Sequence, residues 1–190
     1  MRSRRSNLTY AIGTLAMGAA LLLAGPTNLL ADDTDDSSRQ PHLKSWSTVI
    51  PAAKRFVVLA DFNNVAVLDR ETGLVWEKSP ETTMHAWTGS DVAQACGNKN
   101  VGGREGWRLP SIQELASLID PTVVPPGPTI PAGHPFTNVQ SATYWSATTV
   151  AALPTNGWLL TLASGEVNSS PKETMRLVWC VRGGGLLDNY

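Results

Sequence analysis

The chain has 190 residues, of which 42% are hydrophobic and 16% charged, with a formal net charge of −1. That length suits one domain with a core of ordinary size. The near-neutral balance lacks the basic stripe that nucleic-acid binding requires and excludes that class of partner.

The N-terminus reads as an export signal. Arg2, Arg4 and Arg5 precede "YAIGTLAMGAALLLA" (residues 10–24), an uncharged apolar run too short for a comfortable membrane span. Small residues follow, with cuts available after Ala24 or Ala31, and no cysteine of a lipoprotein lies behind the run. An uncleaved anchor is the alternative. "SRRSNL" (residues 3–8) partly resembles a twin-arginine signal but lacks its aromatic residue, which favours general secretion. Loss of residues 1–31 removes three of the 15 Lys and Arg and none of the 16 Asp and Glu, which takes the charge from −1 to −4. Residues 32–54, opening on "DDTDDSSRQP", carry no apolar period at that acidic start and read as a disordered linker. The domain proper is expected over residues 55–184, with a short tail at 185–190.

"RFVVLADFNNVAVLDRETGLVWEK" (residues 55–78) is rich in β-branched and aromatic residues. Breaks at Asn63-Asn64 and at "DRETG" predict consecutive strands, with a hairpin turn on Gly73. "TGSDVAQAC" (residues 88–96) has a cap-like Ser90 and an apolar face at Val92, Ala93 and Cys96, which predicts a first helix. "GWRLPSIQELASLID" (residues 106–120) contains an S-x-x-E capping box at Ser111 and Glu114, with Pro110 and Leu115 placed as a weak hydrophobic staple. Ile112, Leu115, Ala116 and Ile119 form one helical face, and Asp120-Pro121 ends it. Six prolines in residues 121–135 rule out a helix or central strand there. "TYWSATT" (143–149), "GWLLTLASGEV" (157–167) and "MRLVWCVR" (175–182) then predict three strands, the last apolar on both faces and so central.

Two cysteines, Cys96 and Cys180, lie in the exported part. Parity in an oxidising compartment favours a disulfide over two buried thiols or a reactive nucleophile. On the chain-entropy account, closing so long a loop contributes about 4 to 5 kcal/mol as an upper figure.

"VLDRETGLVWE", Trp87, Cys96, "GWRLPSIQEL", "PAGHPFTNVQ", "YWSATT" and "VWCVRGG" occur in this order. Together they resemble the bacterial Lcl C-terminal domain family, named after the end domain of a collagen-like adhesin. The resemblance spans residues 60–184 or so. It implies an α+β, C-type-lectin-like fold: two helices, a small twisted antiparallel sheet and a long irregular loop region. It also implies that a cysteine of the first helix pairs with one of the last strand, here Cys96 with Cys180. The adhesin's collagen-like stalk has no counterpart in this chain.

Six of the seven tryptophans fall in this domain. Each buries a large area, so most are expected in the core. Trp158 and Tyr144, near the loop region, are the candidates for an exposed ligand-binding face. The Trp-Asn-Asp and E-P-N or Q-P-D triplets by which C-type lectins hold calcium and sugar are absent, and no carboxylate cluster offers a hard-cation site. His85 and His134 have no matched partner in the sequence and read as structural rather than zinc-binding. Sulfatase activators of similar fold need reactive thiols, which one bridge would consume. No metal, cofactor or catalytic residue is therefore expected. The expectation is an exported, non-enzymatic recognition module, periplasmic or extracellular, that takes a glycan or a cell-envelope or extracellular protein. The alternatives are a structural envelope protein or an enzyme with an unrecognised site.

Overall fold

A computed structural model of the chain describes residues 50–88 and 91–184. The export signal, most of the linker, Ser90 and the tail lie outside the described residues, which all belong to one compact unit, Ser45–Tyr190. The class is α+β, with short helices and two antiparallel sheets. Strands β1 (Phe56–Val58), β2 (Ala66–Asp69), β3 (Val75–Glu77) and β7 (Val181–Arg182) form the first, in the order β1-β2-β3-β7. Strands β4 (Thr143–Thr149), β5 (Asn156–Thr161) and β6 (Glu166–Pro171) form the second, in sequence order. Helices α1 (Ala52–Arg55), α2 (Asp91–Gly97) and α3 (Ile112–Ala116) are all brief. Among the described residues no helix is long and apolar enough to cross a membrane.

The breaks between the first strands have the causes the sequence suggested. Asn63 and Asn64 both adopt left-handed backbone, at φ 52° and 61°, a region that asparagine tolerates better than most residues. Gly73, at φ 75°, closes the β2–β3 turn with its amide on the Asp69 carbonyl at 2.8 Å. Asp69 is fully buried, and Arg55 meets it with a two-pronged fork at 2.9 and 2.8 Å. The same guanidinium donates to the Ser117 carbonyl at 2.7 Å and pairs with Glu71 at 2.8 Å. A buried carboxylate is tolerable only with such partners. Helix α1 thus takes Ala52, Ala53 and Lys54 from the stretch read as linker, and Ala52 is 7% exposed.

Helix α3 starts where the capping box places it. The Ser111 hydroxyl accepts from the Glu114 amide, and the Glu114 carboxylate accepts from the Ser111 amide. It ends earlier than expected, at Ala116 rather than Asp120. The Ser117 hydroxyl bonds back to the Glu114 carbonyl, and the amides of Leu118 and Ile119 bond three residues back, which tightens the last turn.

Two further expectations are corrected. The predicted strand at 175–182 is divided among several partners. Arg176 pairs with His85, Leu177 with Tyr144, and Val181 with both Trp76 and Arg108. Between them the Cys180 amide donates to the Glu77 side chain at 3.0 Å, and the Trp179 indole to the Glu77 carbonyl at 2.9 Å. The second correction is β6, whose "EVNSSP" has no apolar alternation because it is an edge strand exposed along almost all its length. Its pairing over six residues with β5 is carried by the backbone.

The β4–β6 sheet stands between two apolar clusters. Tyr144 and Leu160 point into the larger, with Trp76, Leu115, Phe136 and Trp179. Trp145 and Leu159 point into the smaller, with Trp107, Val178, Cys96 and Cys180. Cys96 and Cys180 form the disulfide, across a sequence separation of 84. Ser111→Ala is expected to cost about 1 kcal/mol through the lost cap. Leu115→Ala, at a fully buried side chain, is expected to cost about 2 to 5 kcal/mol by leaving a cavity. Chemical denaturation of both variants, with unreduced peptide mapping for the Cys96–Cys180 bridge, checks these outcomes.

Candidate functional site

An open cleft of about 440 Å³ lies beneath the "GWRLPS" segment. Trp87, Ala93, Trp107, Ser111, Ala147 and Thr148 are among the residues that line it. Trp87 is held by its amide on the Lys172 carbonyl at 2.6 Å and stacks on Trp145, ring centres 6.0 Å apart at 26°. A Cβ at Gly157 would fall 2.4 Å from the Trp87 ring, so only glycine lets that ring lie against β5. The Lys172 ammonium sits 4.1 Å from the Trp87 ring centre and donates to the Thr149 hydroxyl at 3.1 Å. Trp107 is 2% exposed; its indole donates to the Arg104 carbonyl at 2.8 Å and shows the cleft little more than an edge.

The polar groups of the cleft divide into spent and available. Arg108 is spent: its fork meets both oxygens of Glu114 at 2.8 and 2.7 Å and reaches the carbonyls of Gly183 at 2.7 Å and Leu109 at 3.1 Å. Burial pushes the Glu114 carboxyl up, but the Arg108 fork and the Ser111 amide outweigh it and hold the carboxyl below its ordinary range. The Ser111 hydroxyl is spent as well, since it accepts from the Glu114 amide and donates to the Glu114 carboxylate. The Thr148 hydroxyl accepts from the Ile112 amide, which leaves its O–H to donate into the cleft.

The residues expected to bind a ligand are not brought together there. Tyr144 is fully buried, because β4 has a cluster against each face, and its phenol oxygen accepts from the Gln140 amide at 2.9 Å. Its expected exposure is therefore corrected. Trp158 is half-buried on β5, packs against the larger cluster and lines neither this cleft nor a second one of about 490 Å³ beside Glu77. Trp87 is the aromatic residue of the accessible cleft. The single-residue signal for it was only its place among the seven stretches.

The expectation that His85 lacks an acidic partner is also corrected. Its Nδ1 lies 2.9 Å from Asp91 and its Nε2 3.1 Å from Glu81. The Asp91 carboxylate also accepts from the Ala86 amide, and its bond to His85 is the main cause of a lowered carboxyl pKa. Both ring nitrogens are committed to these carboxylates, so the cluster fastens the 81–87 segment to the start of α2. His134 lies against Phe136, ring centres 5.6 Å apart, and burial lowers its imidazole pKa.

A carboxyl held below its ordinary range stabilises the fold above that range and loses the contribution as pH falls through its folded value. Wild type is therefore expected to lose stability on acidification below about pH 4.5, the ordinary glutamate value. Glu114→Gln should be less stable at neutral pH and show a flatter acid limb. Arg108→Lys should lower the melting temperature at neutral pH, since an ammonium cannot replace a planar fork to one carboxylate and two carbonyls. Thermal melts from acid to neutral pH read both outcomes.

A comparison with curated proteins gives no match. The sequence pattern of the Lcl C-terminal domain, by contrast, matches residues 65–182, a span that runs from the start of β2 to the end of β7 and takes in Trp87, the disulfide and the Arg108–Glu114 fork. The chain belongs to the Lcl C-terminal domain family.

Proposed function

We propose that the protein is an exported recognition module of C-type-lectin-like architecture, periplasmic or extracellular, that binds a glycan or an envelope or extracellular protein in the Trp87 cleft. One observation carries this reading. The cleft combines the accessible Trp87 ring with the Thr148 hydroxyl, whose oxygen accepts from the Ile112 amide and whose O–H remains to donate. An apolar surface with a few fixed polar groups is the usual make-up of a small-ligand site. Aromatic rings supply contact area at low entropic cost, and rigid donors supply direction. The charges beside it are committed to the fold through Arg108 with Glu114 and Lys172 with Trp87, which suits binding rather than proton transfer.

The test is a glycan array followed by calorimetry on any sugar that binds, with two plugging variants. Ala93 and Ala147 line the cleft and are exposed, so Ala93→Arg and Ala147→Arg add bulk at its mouth without entering the core. Both are expected to weaken binding at least about tenfold, a loss of about 1.4 kcal/mol, with little change in melting temperature. Trp158→Ala should leave the affinity unchanged. A bound ligand indifferent to both arginines but lost with Trp158→Ala would move the site to the β5 face and overturn the assignment.

A further inference from the structure

Strand β6 pairs with β5 through six consecutive residues without a bulge, and among the described residues no strand lies on its other side. The direction of its backbone groups follows from the ladder. Leu162 donates to Ala142 on the β4 side, and Lys172 donates to Thr155 on the β5 side. With antiparallel alternation, residues 166, 168 and 170 therefore turn their backbone groups toward β5, and residues 167 and 169 turn theirs outward, whereas the Pro171 carbonyl accepts from the Thr174 amide. Such an edge is a template for another strand unless charge, proline or a bulge blocks it. Here the one proline, Pro171, stands at the end of the strand rather than in its middle.

The strand is also complementary to itself. In an antiparallel pairing about a two-fold axis at Ser169, Glu166 falls opposite Lys172, Val167 opposite Pro171, and Asn168 opposite Ser170. Opposite charges meet, an amide meets a hydroxyl, and Val167, 42% exposed in the single chain, meets a proline ring. Lys172 lies one residue past β6, in the turn, but its amide still donates to the Thr155 carbonyl. Its ammonium lies over Trp87, which packs on Gly157 opposite Ser170, so it shares a face with Ser170 and Glu166. Glu166 has no ion-pair partner among the described residues, whereas Lys172 rests over Trp87 on that face.

We propose that β6 is a self-recognition edge through which two copies of this chain pair about a two-fold axis, joining two three-stranded sheets into one. The two Ser169 residues exchange N–H···O=C bonds at the axis, while the Pro171 carbonyl stays on the Thr174 amide of its own chain at 3.0 Å. Pro171 has no N–H, so the ladder stops there and the contact stays short. An isologous contact of this kind closes at two copies and does not propagate into a filament.

So small a contact makes a weak dimer, and sedimentation equilibrium of the protein from about 10 µM to about 1 mM covers the range where it is read. Wild type is expected to self-associate, and Glu166→Lys and Lys172→Glu each to weaken the association about tenfold by placing like charges opposite one another twice. Mixed in equal amounts, the two variants should associate at least as tightly as wild type, because the mixed dimer restores both opposite-charge pairs. Ser169→Pro removes an N–H that points to solvent in the single chain, so it should abolish association with the melting temperature held. A wild type that stays monomeric throughout, or a mixture no tighter than either variant alone, overturns the proposal.

Discussion

Glu114 is half-sunk at the start of a helix of only five residues, and it satisfies three separate needs with two oxygens. It caps the helix through the Ser111 amide and takes both prongs of Arg108. Through Arg108 it also reaches the Gly183 carbonyl, just past the end of β7. A helix this short has no stability of its own and depends on tertiary partners. Without this carboxylate the helix start, the "GWRLP" segment and the end of the first sheet would have no common anchor. The tight fit extends to Gly184, where a Cβ would lie 2.9 Å from a Glu114 oxygen. The segment is architecture that happens to form one wall of a cleft.

The tryptophans follow from the sheet between two cores. A strand covered on both faces must place large residues on both, and "YW" in β4 does so with adjacent rings, Tyr144 into one cluster and Trp145 into the other. Trp76 and Trp179 meet edge to face with centres 5.5 Å apart, and Phe136 meets Trp179 at 4.9 Å. Such pairs add a little beyond the area they bury. Trp87 differs because the chain reaches it from a loop and lays it over Gly157, on the outside of Trp145.

What was legible in the sequence is what local chemistry decides. The capping box, the Gly73 turn and the strand breaks at Asn63 and Asn64 each involve residues within a few positions of one another, and the structure has all of them. The Cys96–Cys180 pairing was legible through compartment, parity and family resemblance, and it is formed. Partners brought from afar were not legible. Asp69 gave no sign that Arg55 would meet it, nor Arg55 that it would reach Ser117, 62 residues on. His85 looked alone because the fold, not the spacing, turns Glu81 and Asp91 toward its two nitrogens. Tyr144 was misplaced for a related reason. Alternation assigns a strand residue to one of two faces, but whether the second face is covered depends on elements elsewhere in the chain. For β6 the signal was absent, since an exposed edge needs no apolar period.

The disulfide encloses the proline-rich stretch 121–135, which lies between Cys96 and Cys180. Pro121, Thr122, Val124, Pro125 and Pro126 are all exposed there. An exposed loop of this sort is where proteases cut. One cut inside the bridged loop would leave two polypeptides joined by a single sulfur–sulfur bond, with β1 to β3 and α2 in one piece and β4 to β7 in the other. The sheet of β1, β2, β3 and β7 would then be shared between them. Nicked protein would keep its mobility on a gel until a reductant separated the halves, so the bridge makes the molecule's integrity independent of an unbroken chain through this loop.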